Sequence, residues 1–265
     1  MPKIKIWQAP FRSLYSLSFY REVLESPLSS GMAYLALLSL LASVVAGIAF
    51  NVRSLPQIQE FAEWAKTAAP PLTFTPEGLQ MKAESPYVMK HPRYGPMVVI
   101  DLFKISVEEK DFKKGNLLVL TAKRGFLRSP SGGIRAFDYS PKEKNFEPVP
   151  MTAEMYEKFG KTLRVILLAG IPAAVFVFFF LWKFTVAVVY TGFALFINRF
   201  RREPLPYERL LNLCFFAMTA FVLIELATLL IPKFEVRGGF FTGLAVTMLY
   251  LSIALLKTEA AVPRE

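Results

Sequence analysis

Reactive side chains are scarce in this sequence. Among 265 residues there is one histidine, His91, and one cysteine, Cys214. A lone histidine excludes a histidine-based metal cluster and leaves no convincing Ser/His/Asp triad. A lone cysteine inside an apolar run excludes a disulfide framework and CxxC-type zinc spacing. Neither a GxxxxGK[ST] nor a GxGxxG phosphate loop occurs. These gaps predict a protein that is not an enzyme and that holds no cofactor and no metal. Acidic residues are also few, 21 against 31 lysines and arginines, for a net charge of +10. That excess calls for no nucleic acid, because membrane proteins gather basic residues on the cytoplasmic flanks of their spans.

Apolar residues are abundant instead. They make up 54% of the chain, and several runs approach the roughly 20 residues that a helix needs to cross a bilayer. The pattern predicts a membrane α-helical bundle of four transmembrane helices, the second overlong, with a small inserted extracytoplasmic mainly-β (α+β) domain. Residues 1–30 mix Lys3, Lys5, Arg12 and Arg21 with Trp7, Phe11, Tyr15 and Phe19, which suits a segment on the headgroup surface or an ordinary cytoplasmic lead-in. The first span, 31–50, has no charge and reads as an uncleaved anchor. Its Ser39, Ser43 and Gly47 recur every four residues, a small face open to close helix approach.

Residues 51–151 are polar and proline-rich and read as the extracytoplasmic domain. Ser54 as a cap and Pro56 in the first turn predict a short helix over "SLPQIQEFAEWAKTA". Strand signals follow in "LTFT", "LQMK", "YVMK", "PMVVIDL", "NLLVLTAK", "GFLR" and "IRAFDYS", six or seven short strands. "SPSGGIR" (129–135) reads as a hairpin turn rather than an anion nest. Asp101, ending the "VVID" stretch, is a weak candidate site in this domain; a strand-end carboxylate more often caps a turn.

A long helix is expected over 152–198, with Thr152 as its N-cap. Between Val165 and Ile197 its only charge is Lys183, and two crossings hinged at that lysine are the alternative to one. The second leg would have only 14 residues, about 21 Å, against a hydrocarbon core of about 30 Å. Charge decides more firmly. One crossing puts ten basic residues on the cytoplasmic side: Lys3, Lys5, Arg12, Arg21, Arg199, Arg201, Arg202, Arg209, Lys257 and Arg264. It leaves Lys233 and Arg237 in the outer loop. Two crossings would give seven against six, no bias at all, so one crossing is preferred. A helix about 50 Å long must then bend or protrude, and Pro172 is the expected kink.

The remaining segments are a cytoplasmic basic loop (199–210; Arg199, Arg201, Arg202, Arg209), a third span (211–231), a short outer loop (232–238), a fourth span (239–256) and a cytoplasmic tail (257–265). Lys183 lies about 22 Å above the cytoplasmic end of its helix and Glu225 about 21 Å above the start of the third. A carboxylate within "FVLIELATLL" needs a partner at that depth. The matching heights predict a Lys183–Glu225 pair, either fixing helix register or coupling a proton or substrate.

"SFYREV", "ESPYVM", "MVVID", "GNLLVLTAK" and "LPYERLLNLCFFAMT", in this order, resemble an uncharacterised bacterial family of integral membrane proteins, a domain of unknown function. Some of its members are labelled maltodextrin-utilisation membrane proteins. The resemblance covers residues 10–256 and implies a bacterial inner-membrane setting, with both termini cytoplasmic and 51–151 extracytoplasmic. It brings no catalytic residue. In hydropathy alone the chain is also similar to the Yip-type trafficking proteins. The expected role is that of an accessory or scaffold protein whose outer domain binds a partner or ligand. The bilayer and a membrane-protein partner or second copy are the expected associations. The alternative is a component of a small-molecule transport system, sugars included, with Lys183 and Glu225 in the helix bundle.

Overall fold

The structure is a computed structural model, and it describes residues 4–112, 117–129, 133–139, 147–231 and 239–259. The loop 232–238 expected on the outer side, and with it Lys233 and Arg237, lies outside the described residues, as do the tail beyond 259 and the tip of the 129–135 turn. The chain forms two compact units, one made of residues 1–54 and 166–265 and the other of residues 55–165. Together they give a helical assembly and an inserted region with two β-sheets, an α+β layout.

Among the described residues four helices are long and apolar enough to cross a membrane: α3 (Leu28–Arg53), α5 (Ala153–Asn198), which begins in the second unit, the stretch Tyr207–Leu230, and Gly239–Leu256 of α8 (Gly239–Glu259). The stretch from Leu163 to Phe200 holds one helix rather than two, since α5 runs 46 residues without interruption, with Pro172 inside it. Thr152 caps its start, its hydroxyl accepting from the Met155 amide at 3.3 Å. Small residues let the helices approach where apolar burial gives no drive within a bilayer. The Ser43 hydroxyl donates to the Pro172 carbonyl at 2.8 Å, and Gly47 faces the proline ring. The small face of α3 is therefore used within the chain.

The third stretch is one apolar run with a local irregularity. It consists of α6 (Tyr207–Ala217) and α7 (Thr219–Leu230), with Met218 between them. There the Thr219 hydroxyl lies 2.6 Å from both the Phe216 carbonyl and the Tyr34 hydroxyl, while the Met218 amide still donates to the Cys214 carbonyl and its carbonyl accepts from the Val222 amide, both at 3.0 Å.

Residues 4–30 are largely helical. Among them α1 (Ala9–Tyr15) and α2 (Leu17–Glu25) fold onto the bundle, with Ala9, Phe19, Tyr20 and Val23 fully buried. The Phe19 ring meets Phe216 edge-on at 5.4 Å, and the Asn212 amide donates to the Val23 and Ser26 carbonyls at 3.0 and 3.2 Å.

The second unit opens with α4 (Leu55–Ala68). Ser54 adopts helical angles, so it closes α3 rather than capping α4. Strands β1 (Leu72–Thr75), β2 (Gly78–Met81) and β8 (Val149–Met151) form one antiparallel sheet in the order β2-β1-β8. The other has the order β3-β4-β5-β6-β7: β3 (Tyr87–His91), β4 (Gly95–Ile100), β5 (Leu118–Leu120), β6 (Arg124–Arg128) and β7 (Ile134–Asp138). Its strands pair antiparallel except β4 with β5. Gly78, at φ +129°, allows the tight β1–β2 turn. β8 is the strand the sequence pattern missed. Trp64 of α4, Leu72, Leu79, Met89, Met97 and Ile100 make the main core, and Phe112, Val119 and Phe126 a smaller one.

Candidate functional site

Lys183 and Glu225 come together, α5 supplying the ammonium and α7 the carboxylate. Lys183 is only 2% exposed, whereas the Glu225 side chain keeps 30% of its surface open. An isolated charge so placed would be very costly, so the lysine must be compensated locally. Besides the carboxylate, the ammonium lies 5.4 Å from the Phe179 ring centre and 5.1 Å from that of Phe221, within cation–π range. The Glu225 oxygen facing the lysine is buried and has no other polar partner among the described residues.

Two turns along α5 from Lys183, Tyr190 donates to the Phe240 carbonyl of α8 at 2.8 Å. Gly243 of α8 packs so closely that an added Cβ would fall 2.5 Å from the Phe221 ring and 2.7 Å from the Tyr190 hydroxyl. α8 thus packs against Phe221 and Tyr190, residues of the two helices that carry the pair. Such an arrangement can hold helix register and bind one counter-charge.

The basic loop divides. Arg199, Arg202 and Arg209 are exposed, whereas Arg201 turns inward and donates to the Leu255 carbonyl in the last turns of α8 at 2.6 Å. Asn198 organises this loop, and sequence reasoning missed it. Its side chain bonds both backbone groups of Leu205, at 2.9 and 3.0 Å, closing the turn between α5 and α6. The only available signal was an asparagine at the end of a long apolar helix.

In the second unit Asp101 accepts from the Phe103 amide at 3.3 Å, while its own amide donates to Leu120 at 2.8 Å. It caps a turn. That turn presents two side chains that the sequence reading did not single out, Phe103 and Ile105, which are 83% and 91% exposed. The loop carrying them is held from both ends. The Leu102 amide donates to the Ser85 hydroxyl at 3.0 Å, Lys104 pairs with Asp111 at 2.5 Å, and Glu108 and Asp111 form a reciprocal cap. Lys104 and the Glu108 amide hold the Asp111 carboxyl below its usual pKa. His91 is buried against Trp64 and Tyr94 and its Nδ1 accepts from the Arg93 amide. It is a packing residue. Among the described residues no three His, Cys, Asp or Glu side chains cluster as a metal site would require.

Over residues 7–255 the chain matches a family model described as a protein of unknown function, DUF1189. The chain belongs to that family. No curated protein and no solved structure matches it. Because the DUF1189 match runs from the N-terminal segment to the last helix, both units and the segment folded onto the bundle are parts of one family architecture.

Proposed function

We propose that this DUF1189 protein is a non-enzymatic, multi-pass protein of a bacterial inner membrane that binds a membrane-associated protein partner through its inserted unit. Both termini and the Arg199–Arg209 loop face the cytoplasm, and residues 51–151 stand on the opposite side. The ten-to-two partition of basic residues supports this orientation. The observation that carries the binding role is the Phe103–Ile105 loop. Two large apolar side chains stand in water on a backbone fixed by the Ser85, Lys104 and Asp111 contacts, so docking them would cost little ordering entropy. Lys183 and Glu225 then act as a structural clasp among α5, α7 and α8.

The test combines topology and capture. A cysteine at Ile105 should react with a membrane-impermeant maleimide in intact spheroplasts, and one at Arg209 only after permeabilisation. Cys214 is fully buried and gives little background. A photo-crosslinking residue at Phe103 should capture a discrete protein in cells. Labelling in the reverse sense would overturn the orientation, and crosslinking to nothing at Phe103 would overturn the binding role. Flux of a small solute through the pure protein in proteoliposomes would favour a transport component instead.

A further inference from the structure

Residues Ile6–Glu25 have a geometry that neither of their expected settings explains. Ser26 and Val23 sit level with Asn212, near the start of α6, through the Asn212 amide. Phe19 sits level with Phe216. Further back along the chain, Trp7, Pro10 and Phe11 face Leu37 and Leu41 of α3 and Leu223 of α7 across an apolar cleft of about 320 Å³. From Asn212 to Leu223 the helix climbs 11 residues, about 16 Å. The segment therefore rises along the bundle to the middle of stretches apolar enough to span a membrane.

Several of its polar side chains are satisfied from within. Arg12 donates to both Glu22 oxygens, at 2.9 and 2.5 Å, and its guanidinium lies 4.7 Å above the Phe19 ring. Ser13 donates to the Pro10 carbonyl, Tyr20 to that of Ser13, and Ser26 to that of Val23. Water would make such internal pairing unnecessary, whereas hydrocarbon makes it obligatory. The outer face is the reverse of polar: Trp7, Phe11 and Tyr15, four residues apart, are 68%, 68% and 75% exposed. That stripe continues the exposed apolar surface of α3, where Leu40, Leu41 and Val44 are open. The exposed Arg21 and Glu25 lie at the other end of the segment, beside the start of α3, the exposed Ser18 lies between Tyr15 and Arg21, and the exposed Lys5 flanks Ile6 just before the segment begins.

We infer that residues 6–25 form a re-entrant membrane element, that the Arg12–Glu22 pair allows it to sit at that depth, and that its cleft against α3 and α7 takes a phospholipid acyl chain. The inference rests on the proposed membrane setting, and its test separates the two. Single cysteines at Phe11, Tyr15, Leu40 and Arg209 carry nitroxide labels in protein reconstituted into phosphatidylethanolamine–phosphatidylglycerol vesicles. Relaxation by oxygen is compared with relaxation by a water-soluble nickel chelate. All four sites are exposed, so the labels require no repacking. The Phe11 and Tyr15 labels are expected to match Leu40, open to oxygen and shielded from nickel. If they match Arg209 while Leu40 stays shielded, the re-entrant element is overturned and the membrane setting stands. If Leu40 is itself in water, both fall. In a Glu22→Gln background the Phe11 label should move toward the nickel accessibility of Arg209, whereas Glu25→Gln should leave it in place; an unmoved label overturns the role of the pair. Labelled acyl chains that show no contact with Phe11 beyond that at Leu40 would overturn the cleft as a lipid site.

Discussion

Lys183 is almost wholly enclosed, and its compensation comes from one carboxylate and two rings. Breaking a buried pair from one side is much more harmful than removing both charges, because the survivor stays desolvated. Glu225→Gln is therefore expected to lower stability by about 3 kcal/mol. The double change Lys183→Met with Glu225→Met should return it to within about 1 kcal/mol of the parent, since buried pairs are often replaceable by apolar groups of similar volume. Thermal unfolding in a mild detergent measures the cycle. A double variant as unstable as the single one would sink the clasp. A stable double variant that fails to restore a cellular phenotype would instead assign the pair a coupling role. Asp111 gives a second prediction at this scale. Its folded pKa lies below the ordinary carboxylate range, so its contribution is complete above about pH 4 and fades as pH falls through the depressed value. Asp111→Asn should remove that acid-side loss and free the Phe103 loop, seen as faster amide exchange over residues 102–108 at neutral pH.

Helix contacts in the first unit rest on glycines that leave no room for a methyl group. At Gly31 of α3 an added Cβ would stand 2.3 Å from Asn212 Oδ1 and 2.7 Å from the Phe215 ring. Gly192 of α5 has nothing within 4 Å. Gly31→Ala and Gly243→Ala should each destabilise by about 1–3 kcal/mol through overpacking. Gly192→Ala should be neutral or stabilising by up to about 1 kcal/mol, because alanine is the better helix former. Equal effects at Gly31 and Gly192 in the same detergent would mean that propensity, not the α3–α6 contact, governs these sites.

This contrast also marks what could be read from the sequence. The long apolar runs, the unbroken α5 and seven of the eight described strands show themselves through composition and spacing, which are local signals. So does the depth match of Lys183 with Glu225, because helical rise converts residue number into height. β8 escaped notice, being three residues long with Pro150 at its centre. The fold of residues 6–25 escaped because its polar groups are satisfied by Glu22, Ser13 and Asn212, partners that no periodicity announces. The hydrogen bond of Tyr34 with Thr219, beside Met218, joins residues 185 positions apart.

At the scale of the whole molecule, the two units differ in what holds them together. The first relies on close helix contact and internally satisfied polar groups, and the second on an ordinary apolar core around Trp64, Met97 and Ile100. Pairing of β1 with β8 ties the first strand of the second unit to its last. Residues 55–165 expressed alone should fold as a soluble domain with cooperative unfolding. Tyr139 offers a check that the excised fold is the native one. Its hydroxyl donates to the Thr121 carbonyl, its ring meets Phe74 edge-on, and burial pushes its pKa up to about 12. The folded phenol holds its proton where the unfolded one has released it, so the Tyr139 contribution is complete below about pH 10 and is lost as pH rises toward 12. Urea midpoints at pH 8 and pH 11 should therefore fall more steeply for the parent domain than for Tyr139→Phe. Equal slopes would place Tyr139 in water in the excised unit, and its two sheets would then depend on the helical unit to form.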